Sequence, residues 1–258
     1  MKHAALAAAM VRLMECGAGP FCYADAFAGY AWNPMGAGGE WSQGVRRVAL
    51  SPGAEANHYV KTIGAPALTT MRYPGSSTIV KGLAAAAHRP LQMHLWDISD
   101  TAVADLRSAH EPDGHCVHHV AVTAMNVQAL HPSLVLVDPP GVRGKGTPSY
   151  PSWSEIRDLL GTGVTMIAWL PVSPLCERGD HPRPAPKSEH LRREAIQVGL
   201  ETSRVLYKAG GHLLGCQLFY RALPDVVDAI RRAVNEVAAL ARWPYPPATE
   251  QVLHEGPG

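Results

Sequence analysis

Three aspartates stand where apolar runs break off, and each is a carboxylate that a ligand could meet. Asp25 follows Phe21-Cys22-Tyr23-Ala24, Asp97 follows Leu91-Gln92-Met93-His94-Leu95-Trp96, and Asp138 follows Leu134-Val135-Leu136-Val137. Runs of this length and composition predict short buried strands. Pro139 and Pro140 stop the third one, because neither supplies a ladder donor. In an open α/β sheet the carboxyl ends of the strands form the edge where ligands bind. An acidic side chain at the end of the second such strand is placed to accept hydrogen bonds from ribose hydroxyls, and Asp97 fits that place. Plainer readings stay open for all three. Asp138 would then be a solvated turn residue, Asp97 a cap for a helix over 100–109, and Asp25 part of an ordinary strand-to-loop turn.

Other residues could do chemistry beside them. The turn Ala26-Phe27-Ala28-Gly29 is built of small residues and lets a ligand come close to the backbone. It is not a dinucleotide fingerprint, since Tyr30 stands where a second glycine would be, so a nucleoside without a pyrophosphate fits better. After Gly141 come Arg143, Lys145, Tyr150 and Trp153. Cations and aromatics together can hold a phosphate and stack a base, or simply form a surface loop. His115, Cys116, His118 and His119 match no zinc template. A strand over 117–122 would point neighbouring histidines to opposite faces, so no metal is expected.

The elements that must position these residues are legible in outline. Residues 2–15 read as a helix with Leu6, Met10, Leu13 and Met14 on one face, ended by Gly17-Ala18-Gly19-Pro20. Lys2 and His3 then sit at its start, where the plain reading is a solvated terminus. Residues 30–72 read as irregular, an inserted lobe or long lid with Trp32, Trp41, three prolines and many glycines. A helix is expected over 77–87 with Ser76 or Ser77 as its cap. Further helices are expected over 100–109, 154–160 and 224–241. Further strands are expected over 164–170, 202–208 and 212–219. Residues 176–190 read as a flexible excursion and the tail after Trp243 as loose. The alternation argues an α/β fold with a doubly wound, mostly parallel sheet and a small inserted lobe.

Composition narrows the class. The chain has 258 residues, 47% of them hydrophobic, and a formal net charge of +1. That suits a single domain over 1–258 with a lobe at about 30–72, and it provides no broad basic field. Five scattered cysteines in no paired spacing suit reduced thiols in a cytoplasm. The apolar stretch 6–13 is too short to span a bilayer, and no signal peptide is evident.

Taken together, the motifs resemble a known family. Tyr23-x-Asp25-x-x-Ala28-Gly29 with its Phe27, a later acidic strand end, and Asp138-Pro139-Pro140 follow the motif order of S-adenosylmethionine-dependent amino-methyltransferases. With Lys2-His3, Tyr73-Pro74-Gly75-Ser76, Leu91-Gln92, Ser99-Asp100, Trp169-x-Pro171-Val172 and Gly211…Gly215, the chain resembles the RlmJ family over nearly its whole length. That family methylates an adenine N6 in large-subunit ribosomal RNA. The resemblance implies a Rossmann-like class I methyltransferase and S-adenosyl-L-methionine as cofactor. It also implies RNA ahead of DNA as partner, with no metal, no membrane and a monomeric state.

The resemblance also implies roles. Lys2 and His3 would meet the methionine end of the cofactor. Asp25, Phe27, Ala28 and Gly29 would form the turn beneath it, and Ser76 would touch it. Asp97 would hold the ribose, and Thr123 and Ala124 would lie by the adenine ring. Asp138, with Pro139 and Pro140, would receive the target amine and help take its proton. Gly141 stands where the family has a base-stacking aromatic, a place that Tyr150 or Trp153 would have to fill, with Arg143 and Lys145 nearby. The same glycine implies an alternative, a methyltransferase with a changed acceptor such as DNA adenine, a small molecule or a protein.

Overall fold

A computed structural model describes residues 2–17, 19–35, 45–140, 150–170, 186–209, 212–241 and 251–255. Leu134–Val137 forms the strand at its centre, β6 in chain order, and all four residues are buried. Successive side chains on a strand point to opposite faces. Leu134 and Leu136 therefore enter one apolar cluster, with Tyr23, Met93 and Leu95. Val135 and Val137 enter the other, with Ala24, Ile156 and Leu159. Burial on both faces is why the run is apolar throughout rather than alternating.

The other elements follow in order. They are α1 (Lys2–Cys16), β1 (Phe21–Asp25), β2 (Trp32–Pro34), α2 (Val45–Ala49), α3 (Ala65–Thr70) and β3 (Arg72–Pro74), then α4 (Ser76–Ala86), β4 (Leu91–Trp96) and α5 (Asp100–His110). Next come β5 (Cys116–His118), α6 (Ala124–Leu130), β6, α7 (Trp153–Leu160), β7 (Met166–Leu170) and α8 (Pro186–Gln197). The described chain closes with β8 (Glu201–Ala209), β9 (His212–Arg221), α9 (Pro224–Ala241) and β10 (Gln251–Glu255).

The main sheet has the order β5-β4-β1-β6-β7-β9-β8-β10. The pairs β1–β4, β4–β5, β1–β6 and β6–β7 are parallel. β9 runs antiparallel to both β7 and β8, and β10 antiparallel to β8. The chain works outward from β1 through β4 to β5, then returns to the other side of β1 for β6. The reversal lies beside β1, so Asp25, Asp97 and Asp138 end or directly follow three adjacent central strands. α1 packs against α4 and α9 on one face of the sheet.

Several expectations are corrected. The stretch read as irregular over 30–72 carries regular elements. β2 and β3 pair antiparallel, Trp32 opposite Pro74 and Pro34 opposite Arg72, and close a segment holding α2, a π-helical turn (Val60–Gly64) and α3. Helices of only five or six residues leave too little periodicity to be read from sequence. The strand expected over 117–122 stops at His118, and an unforeseen helix, α6, follows. Thr123 starts it with a capping box: its hydroxyl accepts from Asn126 N, and the Asn126 side chain accepts from Thr123 N. Gly75, not a serine, precedes α4, because the Ser76 hydroxyl is engaged elsewhere. α8 covers part of the supposed excursion 176–190, and residues 171–185 lie outside the described residues. β10, in the supposedly loose tail, gains a ladder on the edge of β8.

Candidate active site

The carboxyl edge of the central strands opens into a cleft of about 520 Å³. The β1 turn is fixed to both neighbouring strands. Ala26 N donates to Leu136 O at 2.9 Å, and Ala28 N donates to Trp96 O at 2.9 Å. Gly29 completes the turn at φ 62°, where a side chain would strain the backbone, and nothing lies within 4 Å of where its Cβ would be. The result is bare backbone facing the cleft.

Asp97 closes the turn from the β4 side. Its Oδ2 accepts from Gly29 N at 2.9 Å and its Oδ1 from Ser99 N at 2.8 Å. The cap of α5 is Ser99, whose hydroxyl accepts from Ala102 N. Asp97 is thus free of the capping role and lines the cleft. Ile98 and Val120 line the same end and stay 51% and 57% exposed, two apolar side chains that water alone does not explain. Neither was singled out from sequence; for Ile98 the available signal was an apolar residue directly after an acidic strand end.

Asp25 is placed differently. It is fully buried, beneath the cleft rather than lining it. Its Oδ2 accepts from the Tyr23 hydroxyl at 2.8 Å and the Ser76 hydroxyl at 2.5 Å, and its Oδ1 from Phe27 N at 3.3 Å. Burial pushes its carboxyl up to about 6, against the pull of the two hydroxyls. Asp25 therefore ties β1, its turn and the start of α4 into one unit. Ser76, held this way, does line the cleft, as do Phe27, Ala28 and Gly29.

Asp138 sits across from this unit. Its carboxylate accepts an ion-paired hydrogen bond from Lys2 Nζ, 136 residues away in sequence. Burial raises its carboxyl above the ordinary carboxylate range, and the Lys2 ammonium works against that rise. So Lys2 is no solvated terminus; it is a cleft residue paired to the aspartate of Asp-Pro-Pro. His3 also lines the cleft. Its Nδ1 lies 2.7 Å from the Tyr73 hydroxyl, its ring stacks on Tyr73 at 5.3 Å, and the Tyr73 and Tyr59 hydroxyls meet at 2.7 Å. Burial first, and then the Lys2 charge, hold the His3 imidazole well below its usual range. Tyr59 was not singled out from sequence, and Tyr73, on β3, stood there only as part of the Tyr-Pro-Gly-Ser motif, with no role toward His3.

The remaining expected residues divide. Pro140 and Tyr150 line the cleft, while Pro139 is buried below it. Trp153 does not line it: its Nε1 donates to Glu194 on α8 at 2.5 Å. Thr123 and Ala124 do not line it either, because they form the start of α6; Val120, Ala121 and Val122 take that wall. Gly141, Arg143 and Lys145 lie outside the described residues. Among the described residues no three His, Cys, Asp or Glu side chains gather as a metal site, and no helix is long and apolar enough to cross a membrane.

The strand order, with β9 inserted antiparallel between β7 and β8 and β10 added antiparallel at the edge, is that of a Rossmann-like class I methyltransferase fold. A solved Legionella pneumophila protein of the family DUF519 has the same fold: TM-score 0.70 at 17% identity, covering 99% of this chain and 97% of that one. A Clostridium thermocellum protein described as a "putative rRNA-methylase" matches at TM-score 0.38 and 11% identity, covering 82% of this chain and 95% of that one. No family model matches the sequence, and no curated protein does.

Proposed function

We propose that this chain is an S-adenosylmethionine-dependent N-methyltransferase that acts on adenine N6 in nucleic acid, RNA ahead of DNA. The observation that carries the reading is the placement of Asp138 in the same cleft as Asp97 and the Gly29 turn. One end of the cleft suits a nucleoside. It offers bare backbone, a carboxylate for ribose hydroxyls and apolar walls at Ile98 and Val120. The other end offers Lys2, His3 and the Ser76 hydroxyl to the amino-acid part of the cofactor. A volume of about 520 Å³ is ample for one nucleoside-sized ligand.

Bound there, the cofactor supplies a sulfonium methyl, already a strong electrophile. The protein's task is to align an amine lone pair with it and to manage one proton. Held by Lys2, His3, Ser76, Asp97 and the Gly29 turn, the cofactor would supply the methyl group to the amine nitrogen and would be left as a neutral thioether. Asp138 accepts a hydrogen bond from the amine beforehand and takes the surplus proton as the nitrogen gains positive character. Pro139 and Pro140 keep that carboxylate at a rigid strand end.

The test is transfer of labelled methyl to total RNA, unmethylated DNA and a small-molecule extract, with Asp138→Ala as control. Label recovered as N6-methyladenine and lost in the variant supports the reading. Binding of the cofactor with label only in a small molecule or protein would assign a changed acceptor, as Gly141 in place of a stacking aromatic suggests. No cofactor binding at all would overturn the reading.

A further inference from the structure

Asp138 is the group that would meet the acceptor, and its neighbour is a cation. Lys2 arrives from the first residue of α1, and its ammonium reaches the Asp138 carboxylate directly. The pair is partly shielded, with side-chain exposures of 29% and 18%. The other ionisable groups near Asp138 or in its cleft are His3 of α1, Tyr23 and Asp25 of β1, Tyr30, Asp97, Tyr150 and Glu155. His3 is held neutral and Asp25 is already saturated by three donors. Lys2 is therefore the charge that Asp138 feels most closely.

An amine acceptor must approach Asp138 beside that ammonium. An alkylamine, such as a protein lysine, is protonated at neutral pH. It would bring a second positive charge to a carboxylate already neutralised, and it would carry no free lone pair. A ring-conjugated amine such as that of a nucleobase is neutral. It needs only a hydrogen-bond acceptor, and a paired carboxylate still offers one. We infer that Lys2 is a specificity-determining and positioning residue: its pairing with Asp138 restricts the acceptor to a neutral, ring-conjugated amine and keeps Asp138 ionised to receive it. The inference deepens the methyl-transfer reading and rests on it for the identity of the acceptor.

Two measurements test it without turnover. The first is a carbon-13 NMR titration of aspartate carboxyl groups in the unliganded protein, with Asp138→Asn to assign the signal. Lys2→Met should move the Asp138 midpoint up by about one pH unit or more, the scale of a lost adjacent counter-charge. Lys2→Arg, which keeps the charge, should restore the wild-type midpoint. The second compares adenosine with n-butylammonium as ligands of the protein saturated with S-adenosylhomocysteine, so that the nucleoside end of the cleft is filled and only the acceptor position is read. Wild type should take adenosine and not the ammonium, and Lys2→Met should gain about tenfold or more for the ammonium, comparable to removing one like-charge contact. An unmoved Asp138 midpoint in a folded Lys2→Met, or equal ammonium binding in wild type and variant, would overturn the inference. Failure of the methyl-transfer reading would appear separately, as no binding of S-adenosylhomocysteine by calorimetry.

Discussion

Gly75 passes so close to Tyr30 that a Cβ on it would collide with the Tyr30 carbonyl oxygen. The same glycine donates its N–H to Ala31 O at 2.8 Å. Two stretches far apart in sequence, the end of the β1 turn and the start of α4, thus share a backbone-to-backbone contact at the cleft.

Gly75→Ala should be costly because the obstacle is backbone and cannot swing away. Gly29→Ala meets open space and bears only the left-handed strain of about 1–2 kcal/mol. Thermal melts should rank the two variants, with Gly75→Ala losing clearly more. Equal Tm losses would show that the Tyr30 contact relaxes easily.

Asp25→Ala leaves the fully buried Tyr23 hydroxyl and the Ser76 hydroxyl at the cleft lining without their acceptor. Each orphaned donor costs about 1–3 kcal/mol. A Tm loss of many degrees is expected, with weaker S-adenosylhomocysteine binding through the released Ser76. Asp25→Asn keeps one acceptor oxygen and should lose less. Urea unfolding of both variants checks the order.

Acid titration should separate two buried groups of opposite sign. His110 is buried with one ring nitrogen 3.0 Å from the Ser77 hydroxyl and the other without a partner, and burial lowers it to about 4. Its unfolded form binds the proton first, so stability present above pH 6.5 is lost as pH falls toward 4. Asp25 is raised to about 6, so its protonated folded form gains stability over the overlapping range as pH falls from 6 toward 4. Each shift corresponds to about 3 kcal/mol. Asp25→Asn should therefore lose stability on acidification more steeply than wild type, and His110→Gln less steeply. Urea midpoints between pH 4 and 7 measure both slopes.

Trp153 and Tyr150 should part company. Trp153→Ala removes the tie to Glu194 on α8 and should lower Tm while leaving cleft ligands bound within about twofold, since no direct contact is lost. Tyr150→Ala changes the cleft wall and should weaken base binding, by about 1–3 kcal/mol if its ring stacks. Calorimetry with adenosine monophosphate on protein saturated with S-adenosylhomocysteine distinguishes them.

The alternation of apolar runs, breakers and amphipathic stretches was enough to specify α1, β1, β4, β6, β7 and α9 and the doubly wound sheet. Local pattern decides such elements, because a strand buried on both faces must be apolar and proline must stop it. It also placed Asp25, Asp97 and Asp138 on one edge, since parallel strands present their carboxyl ends together. What lay beyond it was every relation between distant side chains. Lys2 pairs with Asp138 across 136 residues, Asp25 lies under the cleft holding Ser76, Trp153 turns to Glu194, and His3 meets Tyr73 of β3. Read locally, Lys2 and His3 are a solvated helix start, and only the family resemblance set them by a cofactor; the docking of α1 on the sheet brings them to the cleft. Only packing then decides that the Lys2 ammonium and the His3 ring face the cleft.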